Sequence, residues 1–218
     1  MIKESWHLLR LHKKTYFYLF GLILVVSFSS LFLQIIFGFI SFFIEQNTNQ
    51  NENIISGIGT LISIPFSLFA TYLGILLQAV PAMYYEKGSK IQAKEALIKL
   101  FSKPLRYILA GILFGLLTIL GYLFLFIPGV LISLVFPIYV NRIFNTEVAI
   151  FKAFLDSIRT LFKSEKWPNY LFKSLVASVL SFLIILITFG FGYLIFYPLL
   201  CFYLQGLIYR YKIVEKNN

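Results

Sequence analysis

The chain holds two histidines, one cysteine and nine acidic residues among 218. These are the groups from which nucleophilic, acid–base or metal chemistry would have to be built. His7 and His12 both lie near the N-terminus, five residues apart. That spacing puts them on different faces of a helix, so they do not converge on a metal, and both are expected in solvent or among head groups. Cys201 sits in an apolar run with no neighbouring His or acid, which suits a packed thiol better than a reactive one. Glu86, Glu95, Glu147, Asp156 and Glu165 fall among lysines in polar stretches, as ion-pair partners do. Acid–base catalysts need burial or paired environments. The G-x-S-x-G, H-E-x-x-H, phosphate-loop and Cys/His metal spacings are all missing from the sequence. The expectation is therefore no catalytic, cofactor or metal site.

The basic residues are patterned. Lys3, His7, Arg10 and Lys14 recur at i, i+4, i+7 and i+11, one face of a helix. Lys152, Asp156, Arg159 and Lys163 repeat that spacing opposite an apolar face of Val148, Phe151, Phe154, Leu155, Ile158, Leu161 and Phe162. A basic amphipathic helix lies in a membrane interface, and each cation near an anionic surface contributes about 1 kcal/mol. Lys3, Arg10, Lys14, Lys152, Arg159 and Lys163 are thus candidate contacts for anionic lipid. Gln34, Gln78 and Gln205 are strongly polar residues inside apolar runs. They read either as interhelical hydrogen bonds or as the lining of a polar path.

These stretches are set by an apolar chain. It is 59% hydrophobic and 13% charged, with a mean hydropathy of +0.84, whereas soluble domains carry about 25% charged residues. The fold class expected is all-α: a polytopic integral membrane protein with six transmembrane helices arranged as three hairpins, forming one membrane domain over residues 1–218. The membrane helices are placed at about 16–44, 54–85, 105–127, 130–144, 169–188 and 193–214. The surface helices are placed at about 2–14, 89–103 and 146–163. Pro65 and Pro81 are expected to kink or cut the second span. Ser89 and Gln92 make a capping-box pattern, and Glu95 and Lys99 an i, i+4 ion pair. Gly111 and Gly115 form a GxxxG spacing for close helix approach. Pro128-Gly129 and Gly190-Phe191-Gly192 are expected outer turns, which leaves the fourth span short.

On this layout all 19 Lys and Arg lie on the side of the termini, while the outer loops hold only Glu45 and Glu52. The positive-inside rule then places both termini in the cytoplasm. It also accounts for the net charge of +10 without a nucleic-acid partner. Lys3 to Lys14 precede too long an apolar run for a cleaved signal peptide. The unit of surface helix, span, turn and Pro-containing span recurs three times. The second and third surface helices align at a spacing of 57, through Ile91/Val148, Ala96/Ala153 and Leu97/Phe154.

Leu125-Phe126-Ile127-Pro128-Gly129, a Pro-containing helix, Glu147, and then an amphipathic helix with Ala153, Ser157 and Leu161 carry a further signal. The pattern resembles YciC-type bacterial membrane proteins and the membrane domain attached to some glycerophosphodiester phosphodiesterases, best over residues 88–212. The resemblance implies a six-helix fold in a bacterial inner membrane and no activity, since the phosphodiesterase chemistry there belongs to a separate soluble domain. The functional expectation is a non-enzymatic membrane protein that organises lipids or protein partners. The alternative is a passive transporter or channel for a small or lipid-like substrate.

Overall fold

The computed structural model describes the backbone of residues 1–48, 52–124 and 126–214, with side chains described outside 44–60. The described residues form ten helices: α1 (Ile2–Leu11), α2 (Lys13–Thr48), α3 (Glu52–Gly74), α4 (Leu76–Lys87), α5 (Ala93–Ser102), α6 (Pro104–Phe124), α7 (Phe126–Asn145), α8 (Ile150–Lys163), α9 (Trp167–Ile187) and α10 (Tyr193–Arg210). Among the described residues there is no strand. The chain is thus all-α. Among the described residues five segments are long and apolar enough to cross a membrane: Lys13–Phe43, Leu61–Lys87, Pro104–Phe124, Phe126–Asn145 and Trp167–Ile187. They are compatible with a multi-pass membrane protein. The 18-residue α10 spans about 27 Å at 1.5 Å per residue. It buries Pro198, Cys201, Phe202 and Gln205 through Ile208, so its composition answers to packing, and Tyr, Gln and Pro dilute its hydropathy.

The chain divides into two compact units, residues 17–75 and residues 1–16 with 76–218. In the smaller unit a polar seam joins α2 to α3. Ser30 Oγ donates to the Ser63 carbonyl at 3.3 Å and meets Ser67 Oγ at 2.9 Å, and Gln34 Nε2 donates to Ser63 Oγ at 2.9 Å. Phe17, Val25, Phe28, Phe32, Phe39, Leu61 and Leu68 are exposed. Such a large apolar surface has no counterpart on soluble monomers and fits lipid contact.

In the larger unit α7 packs against α4, α6, α8, α9 and α10, and α10 also holds α1. Its core gathers Val135, Ile138, Leu161, Tyr170, Leu204, Leu207, Ile208 and Ile213. Buried tyrosines tie helices together through backbone carbonyls, which satisfies their hydroxyls. Tyr139 donates to Ala110 at 3.2 Å, Tyr170 to Leu134 at 3.1 Å and Tyr16 to Leu77 at 2.9 Å.

Several expectations are corrected here. Pro128-Gly129 is not a corner: α6 ends at Phe124 and both residues lie in the first turn of α7. A first-turn Pro costs no helix hydrogen bond. The fourth span is therefore 20 residues, Phe126–Asn145, about 30 Å long, and not short. Close approach of α6 and α7 falls at Gly121 and Gly129, not at the Gly111/Gly115 spacing. A Cβ on Gly129 would stand 2.5 Å from the Tyr122 ring, whereas one on Gly115 would meet nothing within 4 Å. The second span breaks at Ile75, with Pro65 and Pro81 both inside helices.

The expected surface helices are shorter. Residues 88–92 are non-helical and α5 starts at Ala93 with no side-chain cap, so Ser89 forms no capping box. Glu95 pairs with Lys87 at 2.6 Å rather than with Lys99. Residues 146–149 are also non-helical; Arg106 Nη2 takes up the Thr146 and Val148 carbonyls at 2.9 and 2.8 Å. Ala96 and Ala153 are both fully buried, so the two linker helices present the same small residue to the bundle. The turn at 188–192 is tight as expected. Gly190 has φ 87°, and Gly192 N–H is held by Thr188 Oγ1 at 2.8 Å. The polar loop 45–53 lies partly outside the described residues.

Candidate functional site

The helix α8 has three sides. Ala153, Phe154, Ser157 and Leu161 are buried against the bundle. Phe151, Leu155 and Phe162 are exposed. Lys152, Arg159 and Lys163 form a third, exposed stripe. The apolar positions thus split between packing and an outward aromatic face, the arrangement of a helix at a bilayer interface. In α1 and the start of α2, Lys3, Arg10 and Lys14 are likewise exposed, and Arg10 lies 5.4 Å from the Trp6 ring centre. Ser5, Leu8 and His12 form the buried side.

His12 departs from its expected exposure. It is fully buried, between the rings of Tyr84 and Phe202 at 5.2 Å each. Nδ1 bonds the Leu8 carbonyl at 2.9 Å and Nε2 accepts the Ile91 N–H at 3.1 Å. One nitrogen donates and the other accepts, so the imidazole is neutral. Burial pushes its pKa below the ordinary value, the Leu8 bond opposes that, and Lys90 adds to it. Thr15 Oγ1 donates to the Ile91 carbonyl at 2.9 Å, so both polar groups of this one residue are clamped. His7 is exposed.

The three glutamines are all hydrogen-bonded, and to separate partners. Gln34 belongs to the Ser63 seam. Gln78 Nε2 donates to Tyr197 Oη at 2.8 Å. Gln205 is buried; Nε2 donates to the Pro137 carbonyl at 2.8 Å and Oε1 accepts from Asn141 Nδ2 at 3.2 Å. Asn141 Nδ2 also donates to Tyr209 Oη at 3.0 Å, and Tyr209 donates to Glu86 Oε2 at 3.0 Å. The result is a chain of polar groups from α4 through α10 to α7.

Next to Asn141 opens a cavity of ≈ 370 Å³ between the end of α7, the end of α8 and residues 212–214. Arg142, Lys163 and Lys212 line it with Thr146, Thr160 and Ser164, and among the described residues no acid does. Arg142 Nη2 donates to Thr160 Oγ1 at 2.5 Å. Thr160 can accept because its own hydroxyl donates to the Asp156 carbonyl at 2.6 Å. Arg142 Nε is buried without a partner among the described residues. Lys212 has φ 51°, a left-handed residue that brings the chain past Ser164, whose hydroxyl lies 3.4 Å from the Tyr211 carbonyl. In the sequence Arg142 and Lys212 stood out only as ends of apolar runs. The signal available there was Arg142 and Thr146 at i, i+4, the latter donating to the former's carbonyl at 2.8 Å.

A cavity lined by three cations can hold an anion. Among the described residues no group of three His, Cys, Asp or Glu could hold a metal. Cys201 is a free, buried thiol. No family model, curated protein or solved structure matches the chain. The class its fold defines is a helical protein with several membrane-compatible spans.

Proposed function

We propose that the protein is a six-span bacterial inner-membrane protein with cytoplasmic termini, and that it engages anionic phospholipid through its basic face without catalysing a reaction. The sixth span is α10. The resemblance to YciC-type proteins belongs to this proposal. The observation that carries it is the three-sided helix α8, with one side on the bundle, one aromatic side outward and one stripe of Lys152, Arg159 and Lys163. A helix needed only as a linker has no use for an exposed Phe151, Leu155 and Phe162 beside a basic stripe. Such a helix sits at the level of the head groups, where cations meet phosphates.

Reconstitution in lipid discs tests the reading. The protein should unfold at a higher temperature in discs containing phosphatidylglycerol than in discs of phosphatidylcholine with the same acyl chains. Added salt should shrink the difference. Equal unfolding temperatures at low salt would overturn the lipid-engaging role.

A further inference from the structure

We propose that the cavity lined by Arg142, Lys163 and Lys212 is a specific phosphate site, taking the phosphate group of a phosphoester. That group can come from a lipid head group or from a soluble phosphate ester. The proposal deepens the lipid-engaging reading, on which it rests for the side of the membrane the cavity faces. It shares only Lys163 with the exposed stripe.

The charge balance of the cavity comes first. Among the described residues three cations and no acid line the space, and none of the three makes an ion pair. Cations gathered without counter-charge repel one another, and a bound anion relieves the repulsion. What sets the three apart is their convergence on one cavity; the two ion pairs among the described residues, Lys87–Glu95 and Lys103–Glu147, lie elsewhere.

The donors come next. Arg142 is fixed by Thr160 through one Nη and keeps further Nη hydrogens free for a ligand, while Nε, closed off from the cavity, has no partner among the described residues. A buried charged donor without an acceptor costs more than a neutral one. A planar guanidinium offers several donors to phosphate oxygens in a fixed fork, and lysines add charge from the sides. Thr146 and Ser164 also line the cavity, but their hydroxyls donate to the Arg142 and Tyr211 carbonyls, so the guanidinium and the two ammonium groups supply the donors. Size agrees as well: ≈ 370 Å³ equals about a dozen waters at ~30 Å³ each, ample for a phosphate and the glycerol next to it. The cavity is too charged for an acyl chain, so the phosphate enters and the apolar part of any lipid stays outside.

Two variants separate this site from the surface stripe. Arg142→Gln with Lys212→Asn empties the cavity of two cations; Asn tolerates the left-handed backbone at 212. Lys152→Gln with Arg159→Gln strips the exposed face and leaves the cavity intact. Native mass spectrometry of protein released from phosphatidylglycerol discs counts retained lipid. Calorimetry in phosphatidylcholine discs with inorganic phosphate and glycerol 3-phosphate measures soluble anions.

The wild type should retain one phosphatidylglycerol or bind one soluble phosphate. The cavity variant should weaken that binding roughly tenfold or more, the loss expected for charge-assisted bonds, and the stripe variant should not. Lipid retention without soluble binding assigns a lipid head group; saturable glycerol 3-phosphate binding assigns a soluble ester. Unchanged affinity in the cavity variant, or no binding of any probe by the wild type, overturns the site. Loss in the stripe variant alone also overturns the site while leaving the general lipid reading standing. Lys212→Asn alone covers the case in which the Arg142 change impairs folding: its side chain is exposed, and it should still weaken binding severalfold.

Discussion

Nε2 of His12 accepts the backbone N–H of Ile91 at 3.1 Å. The two residues are 79 positions apart, and the bond fixes the non-helical segment before α5 to the junction of α1 and α2. Only a neutral imidazole can accept it. The unfolded His12 protonates near its ordinary value of 6.5, whereas in the fold burial, the first cause, lowers the pKa. Between those two values the unfolded state binds more protons, so stability rises with pH there.

The first prediction follows from that sign. Unfolding temperature in neutral discs should fall as pH drops below about 6.5. Lys90, the cation that acts on His12, adds to the penalty. His12→Gln should be less stable at pH 8 and should flatten the part of the slope that belongs to this residue. A slope identical to wild type would assign the pH dependence elsewhere.

Close packing of α6 on α7 gives a paired prediction. Gly129→Ala sets a Cβ 2.5 Å from the Tyr122 ring and 2.8 Å from its backbone nitrogen. It should destabilise by about 1–3 kcal/mol, as overpacking does. Gly115→Ala meets nothing and should be neutral or stabilising by up to ~1 kcal/mol. Denaturant unfolding in mixed micelles reads both; the opposite order would refute the hairpin geometry.

Within the buried polar chain, Gln205→Leu removes the acceptor of Asn141 and the donor to the Pro137 carbonyl. A loss of about 1–3 kcal/mol is expected, because buried partners are left unsatisfied. Asn141→Leu with Gln205→Leu should cost less than the sum of the single changes. Full additivity in a double-mutant cycle would show that the two side chains do not interact.

Thr160→Val deprives Arg142 of its Oγ1 acceptor and should destabilise by about 1–2 kcal/mol. Thr160→Ser should restore the hydroxyl and most of the stability. Equal behaviour of the Val and Ser variants would show that the bond contributes nothing.

Elements with a strong local pattern were readable in the sequence, and contacts set by distant backbone were not. The apolar spacing in α8 marked both its buried residues, Phe154 and Leu161, and its exposed basic stripe, because packing and solvent act on one short helix. The same periodicity could not divide its apolar half into a bundle side and an outward side. His12 was unreadable because its partner is a backbone N–H in a segment that no pattern links to it. Pro128-Gly129 carried the signal of a turn, yet a helix's first turn accepts the same pair. The cavity around Arg142 escaped because Lys212 reaches it only through a left-handed residue beyond the end of α10. The three glutamines had two readings, and the bonds of Gln34, Gln78 and Gln205 place each between helices.

The proposed role requires all the cations to share one side of the membrane. Site-directed cysteine labelling in intact cells tests this most directly, in a Cys201→Ala background. A cysteine at Asn49 should react with an impermeant maleimide from outside. A cysteine at Lys163 should react only after permeabilisation. Labelling of Lys163 from outside, with Asn49 protected, would contradict the topology and with it the lipid-facing basic surface.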